Sequence, residues 1–299
     1  MYDDLLNNTP ATEQSDQPLS KEDYAAKKKT EREELFALSD DTALAVSGDG
    51  DKFQKYLDVQ SKFDRYGAVN ALLVMAQEAK LPSQSASRLG DFDYWKSRGG
   101  APRLGQTGIA ILEPREYTKE DNTPGVGYNV KKVFDISQID TRRMKAAPPP
   151  PTYTDRQILG ALISKAPVKI TGVDTLPNGA GAKFDPQTDT ISVRKGMEFA
   201  DTFRSVAQEL AYADLTTGPD TQADPQFSAY CASYMLCKKH GVDTQSFDFA
   251  EAPKVLAGKE TRDVKSELSQ IRDVAEDISG RMARQLDAVS KPPRDTGAR

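Results

Sequence analysis

The chain of 299 residues contains one histidine, two cysteines and one tryptophan. The single histidine excludes a zinc site built on two histidines of one helical face, and also a site of two cysteines and two histidines. A Ser-His-Asp or Cys-His centre would have to use His240. The cysteines, Cys231 and Cys237, lie six apart in a predicted helix and point to different faces. They form neither a CxxC redox motif nor an evident disulfide, which fits a reducing, cytoplasmic compartment. No run of about 18 apolar residues occurs, so no membrane span is expected. The start, Met1-Tyr2-Asp3-Asp4, is acidic and does not read as a secretory signal.

What is present is charge, at 28% of residues against 37% hydrophobic, with a net charge of −5. That balance leaves part of the chain for tail or linker. The length suits about two domains. The charge is uneven. Residues 1–60 carry 7 basic and 14 acidic side chains, whereas residues 61–145 carry 14 basic and 10 acidic. A basic block inside an acidic protein points to a polyanion partner, weighed against an ordinary solvated surface.

Residues 1–19 are polar and read as a disordered tail. Ser20, with Glu22 and Asp23 behind it, predicts a helix start; that helix is expected to reach about Leu38. Gly48-Asp49-Gly50-Asp51 breaks the chain. Apolar residues from Phe53 to Met75 then recur at helical spacing and stop at Pro82. Gly105–Glu113 and Gly125–Gln138 read as two strands joined by a long loop. Ala146-Ala147 and the prolines 148–151 predict an extended linker over 146–152. Beyond it the pattern predicts a helix over Asp155–Ser164, a short strand at Val168–Ile170, a hairpin over 182–193, and helices over Phe199–Ala213 and Pro225–His240, the last ended by Gly241. The final stripe runs Val264, Leu268, Ile271, Val274, Ile278, Met282, Leu286 and Val289. It predicts one long helix ended by Pro292-Pro293, docked on the core or paired with a partner.

Three segments in order resemble a known family. FDRYGAVNALLVMAQ, Phe63–Gln77, is similar to the family helix F-x-x-Y-S-x-x-N-x-x-L-I-x-x-Q, with Tyr66, Asn70 and Gln77 in register. Gly90-Asp91-Phe92, Trp95-Lys96, GGAPRLGQTGIAILEP and KKVFDISQ are similar to its W-x-x-x-G-R-x-V-K-K-G-E-K-G-I-x-I-L-x-P and V-F-D-x-S-Q motifs. KFDPQTDTISV, FRSVAQELAYADL and AYCASYMLCKKHGVDTQSFDF match the order of its last part. Together these cover about two thirds of the chain and resemble the ArdC/LtrC-type antirestriction proteins of plasmids, phages and integrative elements.

The resemblance implies an α+β fold in two parts: an N-terminal single-stranded-DNA-binding domain over 20–145 and a zincin-like domain of the ImmA/IrrE kind over 153–258. A C-terminal helix and tail would occupy 259–299. Tyr66 and Trp95 would stack bases, Lys96, Arg98, Arg103 and Lys131 would neutralise phosphates, and Asn70 would hydrogen-bond. Core packing of the single Trp and local capping by Asn70 and Gln77 are the structural alternatives. The basic turn of the family is eroded, with Leu104 and Thr107 where lysines would sit.

In an active zincin two histidines and an intervening glutamate occupy one helix. Here the aligned residues are Gln208-Glu209-Leu210-Ala211-Tyr212. The glutamate survives as Glu209, and the third ligand position falls on Tyr230. Gln and neutral Tyr are poor zinc ligands, so the resemblance implies a pseudo-zincin without metal or cofactor. A different metal site from the cysteines, His240 and Asp224 is the remaining metal possibility. The implied function is a non-catalytic DNA-transfer or antirestriction accessory protein of a mobile element, with restriction or transfer proteins as further partners. An unorthodox metallopeptidase and a phage structural component are the alternatives.

Overall fold

Helix α1 (Lys21–Ser47) begins where Ser20 Oγ accepts from the Asp23 backbone N–H at 3.0 Å. It continues past Leu38 to Ser47, because Leu35, Ser39, Ala43 and Val46 carry one buried stripe through that point. The computed structural model describes residues 20–119, 121–146, 149–217 and 225–290. The expectations for residues 1–19, Ala147-Pro148, Asp224 and Pro292-Pro293 lie outside the described residues. Asp49 caps α2 (Gly50–Lys62), accepting from Lys52 N at 3.0 Å. A Cβ on Gly50 would come within 2.5 Å of the Phe249 carbonyl oxygen. Glycine there lets α2 press against the chain near its far end. Helix α3 (Ala68–Gln77) adds a 3-10 turn over Glu78–Lys80 before Leu81-Pro82.

A β-rich region follows: β1 (Leu89–Gly90), α4 (Phe92–Ser97), β2 (Ala101–Pro102), β3 (Ile109–Thr118), β4 (Pro124–Asp135) and β5 (Ile139–Asp140). One sheet has the order β1-β4-β3, and β2 pairs with β5. Strands β3 and β4 pair antiparallel from Ile109↔Val133 out to Thr118↔Pro124. The first four residues of β3 are buried and the last six exposed, so the pair leaves the body as a polar ribbon. The loop is therefore shorter than the composition predicts. Backbone pairing carries the strands through polar residues to a turn in which Asp121 Oδ1 accepts from Thr123 N at 3.0 Å and from its hydroxyl at 2.6 Å.

Two side chains of α3 hold the body end of β3. Asn70 donates to Leu112 O (2.8 Å) and accepts from Leu112 N (2.9 Å). Gln77 donates to Ala110 O (2.9 Å) and accepts from Ala110 N (3.0 Å). The positions are seven apart on the helix and so share a face.

Residues 149–154 run without helix or strand. A capping box of Thr154 and Gln157 starts α5 (Asp155–Ile163). Strands β6 (Lys169–Val173), β7 (Ala182–Asp185) and β8 (Thr190–Arg194) form a sheet of order β6-β8-β7, with β6 parallel and β7 antiparallel to β8. Against it lies α6 (Phe199–Thr217), and α7 (Pro225–His240) packs on α6. Gly241, at φ +69°, ends α7 while Val242 N returns to Cys237 O at 2.9 Å. Short α8 (Ala252–Leu256) leads to α9 (Thr261–Ser290).

Helix α9 docks on the core along Val264, Leu268, Ile271, Val274, Ile278, Met282 and Leu286, while Val289 is exposed. Its neighbours are α5, α6 and α7 on one side and α1 and α3 on the other. One hydrophobic cluster thus runs from Ala43 to Leu286. The proline-rich segment separates two stretches of sequence but not two cores. Polar contacts seal the join between the halves: Lys238 pairs with Asp58 (2.9 Å), Tyr234 donates to Asp58 (2.7 Å), and Arg272 donates to the Asp64 carbonyl (2.8 and 3.1 Å). Among the described residues no helix is long and apolar enough to cross a membrane.

Candidate nucleic-acid interface and the zincin-like helix

The residues that sequence reasoning groups as DNA contacts fall into three places. The first is a cleft of about 590 Å³ between the turn after α2 and the sheet, lined by Tyr66, Asn70, Asp91, Tyr94, Glu113 and Lys131 among others. The turn is fixed from below. Buried Gln60 donates to Phe63 O (3.1 Å) and Tyr66 O (2.9 Å) and accepts from the Tyr56 hydroxyl. Tyr66 is half-buried and stacks on Phe63 at 5.9 Å, and burial pushes its phenol up.

Lys131 lies between Glu113 (2.7 Å) and Asp91 (3.0 Å). Those two carboxylates hold its ammonium well above the ordinary lysine range. Asp91 in turn is held low, first by the Tyr94 backbone N–H and then by Lys131. The cleft is therefore internally neutralised, and Lys131 already has two anions. Asn70 lines the cleft with its amide committed to Leu112, so its role here is the clamp on β3.

The second place is the core. Trp95 is fully buried, and its indole N–H donates to Phe134 O at 2.9 Å. Tyr94 meets it edge-on at 4.9 Å, and the Arg88 guanidinium lies 5.7 Å from its ring. This corrects the stacking role expected for Trp95. A ring with no exposed face cannot receive a base, and its single donor is used. The aromatic surface open to solvent comes instead from Phe92, Tyr117 and Tyr128, and from Tyr24 and Phe36 of α1.

The third place is a basic face around the β2–β5 pair. Lys96, Arg142 and Arg143 line a depression of about 690 Å³ together with Asp140 and the backbone of Gly99, Gly100 and Ala101. Arg98 stacks over Tyr94 at 3.8 Å. Arg103, in the adjoining depression, donates to the carbonyls of Ile139 (3.2 Å) and Ser137. Arg142 forks onto Asp140, which it holds down at about 2. The structure thus joins Lys96 and Arg103 to Arg142 and Arg143, whereas Arg98 lines neither depression. Sequence reasoning registered the last two only as part of the basic block. The two-residue strands that fold Asp140–Arg143 back onto Ala101 leave no periodic signal.

In the other half, α6 (Phe199–Thr217) carries Gln208, Glu209 and Tyr212, the residues expected at the ligand and glutamate positions. Glu209 is buried, and its Oε2 accepts from the Phe184 backbone N–H at 2.7 Å. Burial raises its carboxyl, partly offset by that N–H. Tyr212 packs edge-on against Phe184 at 6.4 Å. The Tyr230 hydroxyl accepts from Asp248 N at 2.7 Å, and its ring packs on Phe247 and Phe249. Gln208 is half-buried on the same helix.

This donor set does not fit a divalent transition metal. It comprises one amide, two phenols and a carboxylate already serving a strand. Among the described residues no group of three or more His, Cys, Asp or Glu is placed to hold a metal ion. Cys231 and Cys237 are buried, and burial raises both thiols, Cys237 to about 12. His240 ends α7 as predicted. Burial, then Lys239, lowers its imidazole to about 4.

Glu209 acts as an anchor for β7. Glu209→Ala is expected to cost about 1–3 kcal/mol by leaving the Phe184 N–H without an acceptor. Glu209→Gln keeps an oxygen there, removes a charge that burial disfavours, and is expected to stay within about 0.5 kcal/mol of the parent. Urea unfolding of both variants checks the contrast; equal losses would remove the anchor role.

No family model matches the chain. No curated protein sequence matches it. Among solved structures it superposes on the antirestriction ArdC protein from the R388 plasmid. With the metal-free form the TM-score is 0.50 at 17% identity, covering 73% of this chain and 86% of that one. With the Mn(II)-bound form it is 0.51 at 17% identity, covering 74% and 85%. The chain is therefore built on the fold of ArdC, a mixed α+β architecture.

Proposed function

We propose that the protein is a non-hydrolytic, single-stranded-DNA-binding accessory protein of a mobile element, acting in antirestriction or DNA transfer. The observation that carries this reading is the basic face: Lys96, Arg103, Arg142 and Arg143 line two adjoining depressions around one small strand pair, with Asp140, paired to Arg142, as the acid among them. Four cations against one carboxylate attract a phosphate backbone and release its counterions. The antirestriction part rests on the likeness to ArdC, which bears that name. The zincin-like half then serves as a scaffold, because its ligand positions carry Gln208, Tyr212 and Tyr230 and its glutamate holds β7. Glu209→Gln accordingly leaves the biological phenotype intact; loss of a proteolytic activity in that variant would favour a peptidase instead.

Fluorescence anisotropy with a labelled single strand tests the binding. The triple variant Lys96→Ala, Arg142→Ala, Arg143→Ala is expected to bind at least about tenfold more weakly at low salt. The slope of log K against log salt is expected to flatten by about 2, at roughly 0.7 per phosphate contact. No affinity of the parent at low salt would overturn the reading.

A further inference from the structure

At the edge of the basic face stands a side chain of the wrong kind for that setting. Leu104 has 104% relative exposure, more than the other large apolar residues among the described ones. An exposed leucine is ordinary by itself. Its mounting is not. Leu104 and Gly105 form the tip of a turn closed by Gln106 N to Arg103 O at 3.2 Å. Gly105 is at φ +79°, where glycine carries no steric penalty, and a Cβ there would meet nothing within 4 Å.

Both legs of the turn are tied down. Before the tip, Pro102 pairs with Ile139, Arg103 N donates to Gln138 O at 2.9 Å, and the Arg103 guanidinium holds the Ser137 and Ile139 carbonyls. After it, the buried Gln138 amide donates to Thr107 O (2.9 Å) and Gln106 Oε1 (3.3 Å). The tip therefore meets a partner with little ordering left to do. Leu104 shares one depression with Arg103 and Arg142.

The geometry points to Leu104 as a wedge that inserts between neighbouring bases of a DNA strand whose phosphates lie on the flanking cations. Leucine is among the apolar side chains that wedge between base steps, and the four cations of the face exceed its one acid, so a strand backbone is held beside the tip. The inference rests on the DNA-binding reading above and adds to it where the strand runs and which side chain separates its bases. A membrane is the less suited partner, because one leucine offers little apolar area to bury in a bilayer.

The test uses the full chain and a single-stranded oligonucleotide carrying 2-aminopurine, whose emission rises when it loses its stacked neighbours. The parent is expected to raise emission about threefold at saturation. Leu104→Ser is expected to abolish that rise and weaken affinity about fivefold, with the salt slope unchanged. Leu104→Met keeps the rise. Because the side chain is fully exposed, neither change disturbs folding. Binding by anisotropy without an emission change, or a rise that survives Leu104→Ser, overturns the wedge and leaves the DNA reading standing. No binding at all overturns both. A parallel sedimentation with phosphatidylserine vesicles in which Leu104→Ser releases the chain, with emission unmoved, would assign the tip to membranes and overturn the proposal.

Discussion

Replacing Asp135 with alanine is expected to lower the free energy of unfolding by about 3–5 kcal/mol. The carboxylate is fully buried at the end of β4. Its Oδ2 accepts from Ser87 N at 2.8 Å and Arg88 N at 2.9 Å, and its Oδ1 from Ser137 N at 2.9 Å. Alanine leaves three buried or half-buried N–H groups without acceptors, at about 1–3 kcal/mol each before water returns to some of them. The damage also spreads. The Asp135 N–H donates to Gln138 Oε1 at 3.0 Å, the other end of the amide that holds the turn bearing Leu104. Burial opposes ionisation of Asp135, and the N–H groups of Ser87, Ser137 and Arg88 outweigh it, so its folded pKa lies below the usual value. The sign follows: its contribution is complete above the unfolded pKa of about 3.9 and is lost as the pH falls below that. Guanidinium melts at pH 7 check the loss, with an unchanged slope expected. A loss under about 1 kcal/mol would show that water replaces the carboxylate fully.

Acidification from pH 7.5 to 5 is expected to cost about 2 kcal/mol through His240 alone. Its ring lies 6.1 Å from that of Phe203, its Nε2 is buried without a partner among the described residues, and Lys239 adds a like charge. The folded ring therefore resists protonation down to about 4. The unfolded ring accepts a proton near 6.5. Across that window the unfolded chain binds more protons, so stability is full above about 6.5 and falls as the pH drops towards 4. Phenylalanine at this position fills similar space without a titrating group. His240→Phe should flatten the difference between the two pH values by the same amount. A parent and variant that lose stability equally would place the acid sensitivity elsewhere. Because the chain has one histidine, its imidazole proton resonances report the pKa without assignment ambiguity.

Much of the helical framework is legible in the sequence because its signals are local. Ser20 announces a helix start, Gly241 announces an end, and the apolar stripe of α9 reads at sight. Features that depend on distant partners are not. The Asn70 and Gln77 positions stand out in the helix pattern, yet their partners lie 42 and 33 residues away on β3. Their purpose is visible only once the strand is in place. Trp95 and Lys131 have the right chemistry for nucleic acid, but burial consumes the first and Asp91 with Glu113 occupies the second. Arg142 and Arg143 show the reverse case, ordinary in sequence and brought beside Lys96 by a strand pair of two residues. Composition marks the proline-rich segment as a boundary. It cannot show that α9 would lie across both sides of it.

The amides of Asn70 and Gln77 also decide what the sheet cannot do. Strand β3 lies at the edge of the β1-β4-β3 sheet, and a bare strand edge is a template for lateral growth. At Ala110 and Leu112 both backbone groups facing away from β4 are already matched by side chains of the same chain. No incoming strand, from a second copy or from another protein, finds a free donor or acceptor on that stretch. Any strand recruited to this edge must attach farther out on the ribbon, past Leu112, where Pro114 removes one donor from the ladder. The body of the sheet is thus insulated from self-association by two side chains of α3, while the exposed arm remains the part able to meet a partner.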